Sequence, residues 1–184
     1  MSGRARIPRR RRIFLGCEGE SEQGYGAFLD RLAQDNGHHV HIKAVNLQPA
    51  GDPIKLTKKA IDSAKRDARS RGAFEVRAVL LDADRLSANP AMKGQVHDLL
   101  AAEEFIIIWQ IQDHEAHLLR HFAGHEHDNP PSSQTLARLQ AHWPGYRKGM
   151  PSSEIRRVLS LDHVKRAAGV TPPLMTLLQR IGFK

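Results

Sequence analysis

Cysteine occurs once in these 184 residues, at position 17, which excludes an internal disulfide. The longest apolar run, Phe105–Trp109, is far too short to span a bilayer. A basic N-terminus is followed by Glu18, Glu20 and Glu22 instead of the apolar core of a signal peptide. Together these absences point to the cytoplasm and to no membrane. Aromatic residues make up only 5% of the chain, too few for a base-stacking platform of the single-strand-binding kind. No Walker lysine motif is present, so ATP hydrolysis by this chain alone is not expected.

What the chain has in excess is positive charge, +8 at pH 7, and much of it is local. Arg4, Arg6 and the run Arg9, Arg10, Arg11 and Arg12 form a basic N-terminal arm over residues 1–12. Such an arm is an electrostatic footprint for a polyanion, and these arginines are the candidate nucleic-acid contacts. The plainer reading is a run that only solvates the terminus.

Beyond the arm, strand-like and helix-like periods alternate, as in an α/β fold built of βαβ units around a parallel sheet. Strands are predicted over Arg12–Cys17, His39–Leu47, Val76–Leu81 and Glu104–Ile111. Tyr25, Phe28, Leu29 and Leu32 fall at helical spacing after the first, and Asn36-Gly37 ends that helix. Ala60, Ile61, Ala64 and Ala68 mark the inner stripe of the next helix. Asn89-Pro90 opens another, and a fourth runs through His121-Phe122. Past a polar loop at Gly124–Ser133 every pattern is helical: Ser133–His142, Ser153–Leu159, a short segment near His163, and Pro172–Ile181. The expected organisation is a sheet domain at 13–123 of about four parallel strands flanked by helices, and a helical C-terminal extension at 124–184.

Two predicted strands end in acid. Ile13–Cys17 runs into Glu18-Gly19-Glu20-Ser21-Glu22, and Val76–Leu81 into Asp82-Ala83-Asp84. Open α/β sheets bind ligands at the carboxyl ends of their strands, so both pairs are expected in one crevice. Asp82 and Asp84, two apart on an extended chain, share a side and can reach one ion. Glu18 and Glu22 flank a strand-to-helix turn. Hard carboxylate oxygens suit magnesium or manganese, and an ion held there neutralises a phosphodiester and activates water. Each carboxylate alone reads as a solvated turn residue; the coincidence of the two pairs makes the case.

The same residues carry a family resemblance. Ile13–Glu22 resembles the first motif of Toprim domains, where Glu-Gly follows the first strand, and Asp82-Ala83-Asp84 resembles their Asp-x-Asp. The segment Cys17-Glu18-Gly19-Glu20 with Glu22 is closer still to the RloB-like family, a small Toprim-type group found beside an ATPase in bacterial defence loci. That family's third motif ends in Glu, then Leu-rich residues, then His-Phe. Here Glu115, Leu118-Leu119 and His121-Phe122 keep the register, while its Asn-Pro-Cys-Phe portion is replaced by Ile111-Gln112-Asp113-His114. The resemblance covers roughly residues 12–122.

It implies a Toprim-like fold and a magnesium-dependent nuclease of DNA or RNA in anti-phage defence, working with an ATPase partner. Glu18, Asp82 and Asp84 would hold the metal, with Glu22 or Glu20 as second-ion ligand or water-positioning base, and Glu115 and His121 would complete the catalytic set. The alternative is a non-catalytic module that binds nucleic acid or a partner protein. The oligomeric state, a homodimer included, stays open.

His114, His117 and His121 lie at helical spacing, with His125 and His127 beyond. Zinc is one reading; scattered surface histidines is the plainer one. Cys17, beside carboxylates that disfavour a thiolate, reads as a small core residue.

Overall fold

The computed structural model describes residues 9–184 except Ala88, and leaves the side chains of Arg85 and Ser87 undescribed. The expected positions of Arg4 and Arg6 lie outside the described residues. Strands β1 (Arg11–Cys17), β2 (Val40–Asn46), β3 (Val76–Asp82) and β4 (Phe105–Gln110) form one all-parallel sheet in the order β2-β1-β3-β4. Between them run helices α1 (Glu20–Asp35), α2 (Pro53–Arg71), the single turn α3 (Asp84–Ser87) and α4 (Pro90–Ala102). After β4 come α5 (His114–Leu119), α6 (Ser132–His142), α7 (Ser152–Ile155), α8 (Leu161–Gly169) and α9 (Pro172–Ile181). This is an α/β architecture that agrees, at this coarse level, with the Toprim-like sheet expected from the sequence.

Alternation in β1 sets the two layers. Ile13, Leu15 and Cys17 face one way, onto Tyr25, Phe28 and Leu29 of α1 and onto α5, α6, α8 and α9. Phe14 faces the other way, onto Leu56, Ala60 and Ala64 of α2 and Val96 and Leu100 of α4. Helices therefore cover both faces, as an all-parallel sheet requires. The predicted C-terminal extension shares the first of these cores, since Leu139, Val164, Leu174 and Leu178 are buried with Ile13 and Leu15.

Gly26 is where α1 meets the sheet. A Cβ there would come within 2.8 Å of the Ala44 Cβ and 2.9 Å of Leu15, so a helix this close tolerates no side chain. Among the described residues no helix is long and apolar enough to cross a membrane.

The chain leaves β1 for β2 on one side, then crosses to β3 on the other. The carboxyl ends of β1 and β3 thus form the topological switch point, where doubly wound sheets open a crevice. Arg11 and Arg12 start β1 and do not belong to a free arm. They lie about 20 Å from its acidic end, six residues at ~3.3 Å each. Arg12 bonds Asp67 and the Gly72 carbonyl and stacks over Phe74, 4.2 Å from the ring centre. Arg11 donates to Glu75 and to the carbonyls of Arg180 and Ile181, and Arg9 to the carbonyl of Arg71. Arg10 is exposed.

Burial alone would raise the Asp67 carboxyl, but bonds from Lys43 and Arg12 hold it below its usual range. Arg12→Ala is accordingly expected to lower stability by about 1–3 kcal/mol, read as a fall in the denaturant midpoint. An unchanged midpoint would mean that Arg12 does not tie β1 to α2.

Candidate functional site

A crevice of about 590 Å³ opens at the switch point, lined by carboxylates from five segments. Glu18 follows β1, and Glu20 and Glu22 sit in the first turn of α1. Asp82 ends β3, Asp84 begins α3, and Asp113 and Glu115 lie at the start of α5. The charge of Lys148, from the loop before α7, stands against these seven carboxylates in the same lining.

Local chemistry places each group. Gly19 turns the chain from β1 into α1, and its N–H donates to Glu22 Oε2 at 3.1 Å, drawing that side chain back over the helix start. An acid in this first turn also faces the positive end of the helix. Glu18, 8% exposed, reaches sideways across the sheet, where its Oε2 accepts the backbone N–H of Asp82 at 2.9 Å. Asp82 and Gln110 are register partners on β3 and β4, and the Ala83 N–H donates to the Gln110 carbonyl at 2.9 Å. Asp113 caps α5, accepting from the Ala116 N–H at 2.8 Å and from the Thr135 hydroxyl at 2.6 Å.

Such crowding has an electrostatic consequence. Burial, then the charges of Glu22, Glu18, Asp84 and Asp113, raise the Asp82 carboxyl from 3.8 to about 9. Burial also lifts Glu22 above its ordinary range, against the Gly19 N–H and the Lys148 ammonium. Without a compensating cation, Asp82 therefore carries a proton at neutral pH.

Glu115 is 3% exposed and held by two partners from one loop. The Tyr146 hydroxyl donates to its Oε1 at 3.0 Å, and Lys148 Nζ lies 3.4 Å from its Oε2. The backbone N–H of Gly149 then donates to Ser21 at 2.9 Å, which ties this loop to α1 beside the crevice.

Glu18, Glu22, Asp82, Asp84 and Glu115 all line the crevice, whereas His121 does not. His121 is fully buried, bonded to the Tyr25 hydroxyl at 2.9 Å and the His117 carbonyl at 3.1 Å, so its ring packs the core behind the site. Nor is α5 a surface helix, as the histidine spacing had suggested: all six of its residues are buried, because α1, α6 and the sheet enclose it. His114, His117 and His121 surround Tyr25 edge-on at 5.4–5.9 Å. Cys17 is buried in the core, its thiol pushed up by burial and by Glu22.

Gln110, Asp113, His114 and Lys148 join the site without having been expected there. Asp113 had a legible signal as an N-cap just past a strand, whereas Lys148 arrives from far downstream. Among the described residues, no group of three or more His, Cys, Asp or Glu side chains is drawn together as a ready ligand shell. Several of the carboxylate oxygens are taken instead by N–H donors, as with Glu18 on Asp82 and Glu22 on Gly19. The donor set is nonetheless all oxygen, charged and confined to one crevice, which is the chemistry of a hard divalent cation.

Comparison of the chain with protein-family models, with curated proteins and with solved structures gives no match in any of the three.

Proposed function

We propose that this chain is a nuclease of Toprim type that cleaves phosphodiesters of DNA or RNA with magnesium or manganese. One observation carries the reading. Carboxylates from both switch-point strands and from their flanking turns crowd one crevice, where burial and the neighbouring charges raise the Asp82 carboxyl far above its usual range. A structural role calls for no such crowding, and protein stability is reduced by it; a divalent cation relieves it.

A bound cation would supply neutralisation of phosphate charge and a more acidic water. Glu18 and Asp82, from adjacent strand ends, are the residues placed to hold it, with Asp84 and Glu22 flanking them. Lys148 offers a positive contact for a phosphate oxygen at the rim, two-thirds exposed in its side chain and anchored by buried Glu115. The lining is otherwise anionic, so nucleic acid would be repelled from the crevice until cations enter. Arg9–Arg12, at the opposite end of β1, are too distant to grip phosphates there. The anti-phage setting and the ATPase partner are proposed on the family resemblance.

Labelled single- and double-stranded DNA and RNA, incubated with the protein and magnesium, manganese or chelator, test the proposal. Cleavage that requires the cation and falls on the order of 10²-fold or more in Asp82→Asn is expected. Cleavage that survives chelator or this substitution contradicts it.

A further inference from the structure

Gln110 is a fully buried amide at the end of β4, surrounded by three polar groups. Two are carboxylate oxygens, Asp82 Oδ1 at 2.9 Å and Glu22 Oε1 at 3.3 Å, and the third is His114 Nδ1 at 2.6 Å. Only one orientation of the amide satisfies them all. Its nitrogen, with two hydrogens, faces the two carboxylates, and its oxygen accepts from His114. A buried polar group bonded at every position holds its neighbours rigidly.

We propose that Gln110 is a positioning residue for the cation-binding carboxylates. Its NH₂ spans Asp82 of β3 and Glu22 of α1, and His114, donating from Nδ1, fixes the face that the amide presents. This rests on the proposed function above, and it adds two residues outside the carboxylate set.

The two carboxylates come from different elements, and the amide bridges them. Burial keeps His114 neutral, with its pKa lowered to about 4, so one ring nitrogen carries the hydrogen and the other does not. The bond to Gln110 assigns that hydrogen to Nδ1. Groups that orient metal-binding side chains typically contribute 10–100-fold to metal affinity.

The test is isothermal titration of the full chain with manganese chloride alone, run beside thermal melts in chelator. Gln110→Met, which fills the space without donating, is expected to weaken the manganese dissociation constant about 10–100-fold. His114→Leu is expected to do the same, whereas His114→Asn, whose amide donates from nearly the place of Nδ1, restores affinity to within about threefold of wild type. A purely structural role would lower the melting temperature and leave the dissociation constant unmoved.

Equal manganese affinity in wild type and folded Gln110→Met overturns the inference while leaving the proposed function standing. If Gln110→Met does not fold, the His114 pair decides, and equal affinity in His114→Leu and His114→Asn overturns it. Absence of saturable manganese binding by the wild type overturns the proposed function and this inference with it.

Discussion

Asp82→Asn is expected to make the metal-free protein more stable while removing its activity. The Asp82 carboxyl titrates near 3.8 when unfolded and about 9 when folded. Between those values the folded chain keeps a proton that the unfolded chain has lost, so stability falls as pH rises through the window. One pK unit corresponds to about 1.4 kcal/mol. After discounting for partial solvent screening, the wild type should be on the order of 3 kcal/mol less stable than Asp82→Asn at pH 8. In a chain of this size that is a melting difference of roughly 5–10 °C, narrowing as pH approaches 4. Asn keeps the backbone N–H that Glu18 accepts and an oxygen for Gln110, so the fold is retained. Thermal melts of both proteins at pH 5, 7 and 9 in chelator provide the check. A difference independent of pH would mean that Asp82 is not crowded by its neighbours.

The second large effect has the opposite sign and comes from behind the site. Burial lowers His114 from 6.5 to about 4 and His121 to about 3, and drives His117 well below 6.5. These groups take protons on unfolding before they take them in the fold, so their stabilisation is present above about pH 6.5 and is lost as pH falls towards 4. Three such protons, offset by those that Asp82 and Glu22 retain, leave a net loss of stability as pH falls across that range.

The metal-free protein should therefore be most stable near pH 6.5, with an acid limb set by the histidines and an alkaline limb set by Asp82. His117 sharpens the test, because both its ring nitrogens are buried without a hydrogen-bond partner among the described residues. His117→Leu is expected to raise stability by about 1–3 kcal/mol at pH 5 and to make the acid limb shallower by about one proton. Denaturant melts from pH 4 to 7 read both quantities. A destabilised variant with an unchanged acid limb would contradict this account of α5.

Much of the fold was legible because its signals are local. The apolar run Ile13–Cys17, and Asn89-Pro90 as a helix start, need no knowledge of distant residues. Strand and helix bounds differ from expectation by a residue or two, with three exceptions, one of them the helix expected through Phe122, which ends at Leu119. The turn α3 at Asp84–Ser87 went unseen because four residues carry no period, and Ser153–Leu159 forms helix only to Ile155 before turning.

The site divides along the same line. Glu18, Glu22, Asp82 and Asp84 declared themselves because each sits next to a strand end in sequence. Gln110 belongs to the site through the register of β4 on β3, and Lys148 through a loop more than thirty residues past Asp113. Neither relation is written in the residues' own neighbourhood. The arginine run was read as a phosphate grip from its charge, but charge does not say at which end of a strand it lies. The histidines of α5 looked like a polar surface because composition hides that this helix is enclosed by α1, α6 and the sheet.

Uptake of a divalent cation by the switch-point carboxylates is what the proposed function requires. Thermal melting of wild type and Asp82→Asn at pH 8, in chelator and then in millimolar magnesium or manganese, measures it most directly. The cation is expected to raise the wild-type melting temperature by several degrees, closing the gap to Asp82→Asn, and to leave the variant nearly unmoved, since binding to the folded state alone stabilises by mass action. A cation shift that is absent from both proteins, or equal in both, would contradict it.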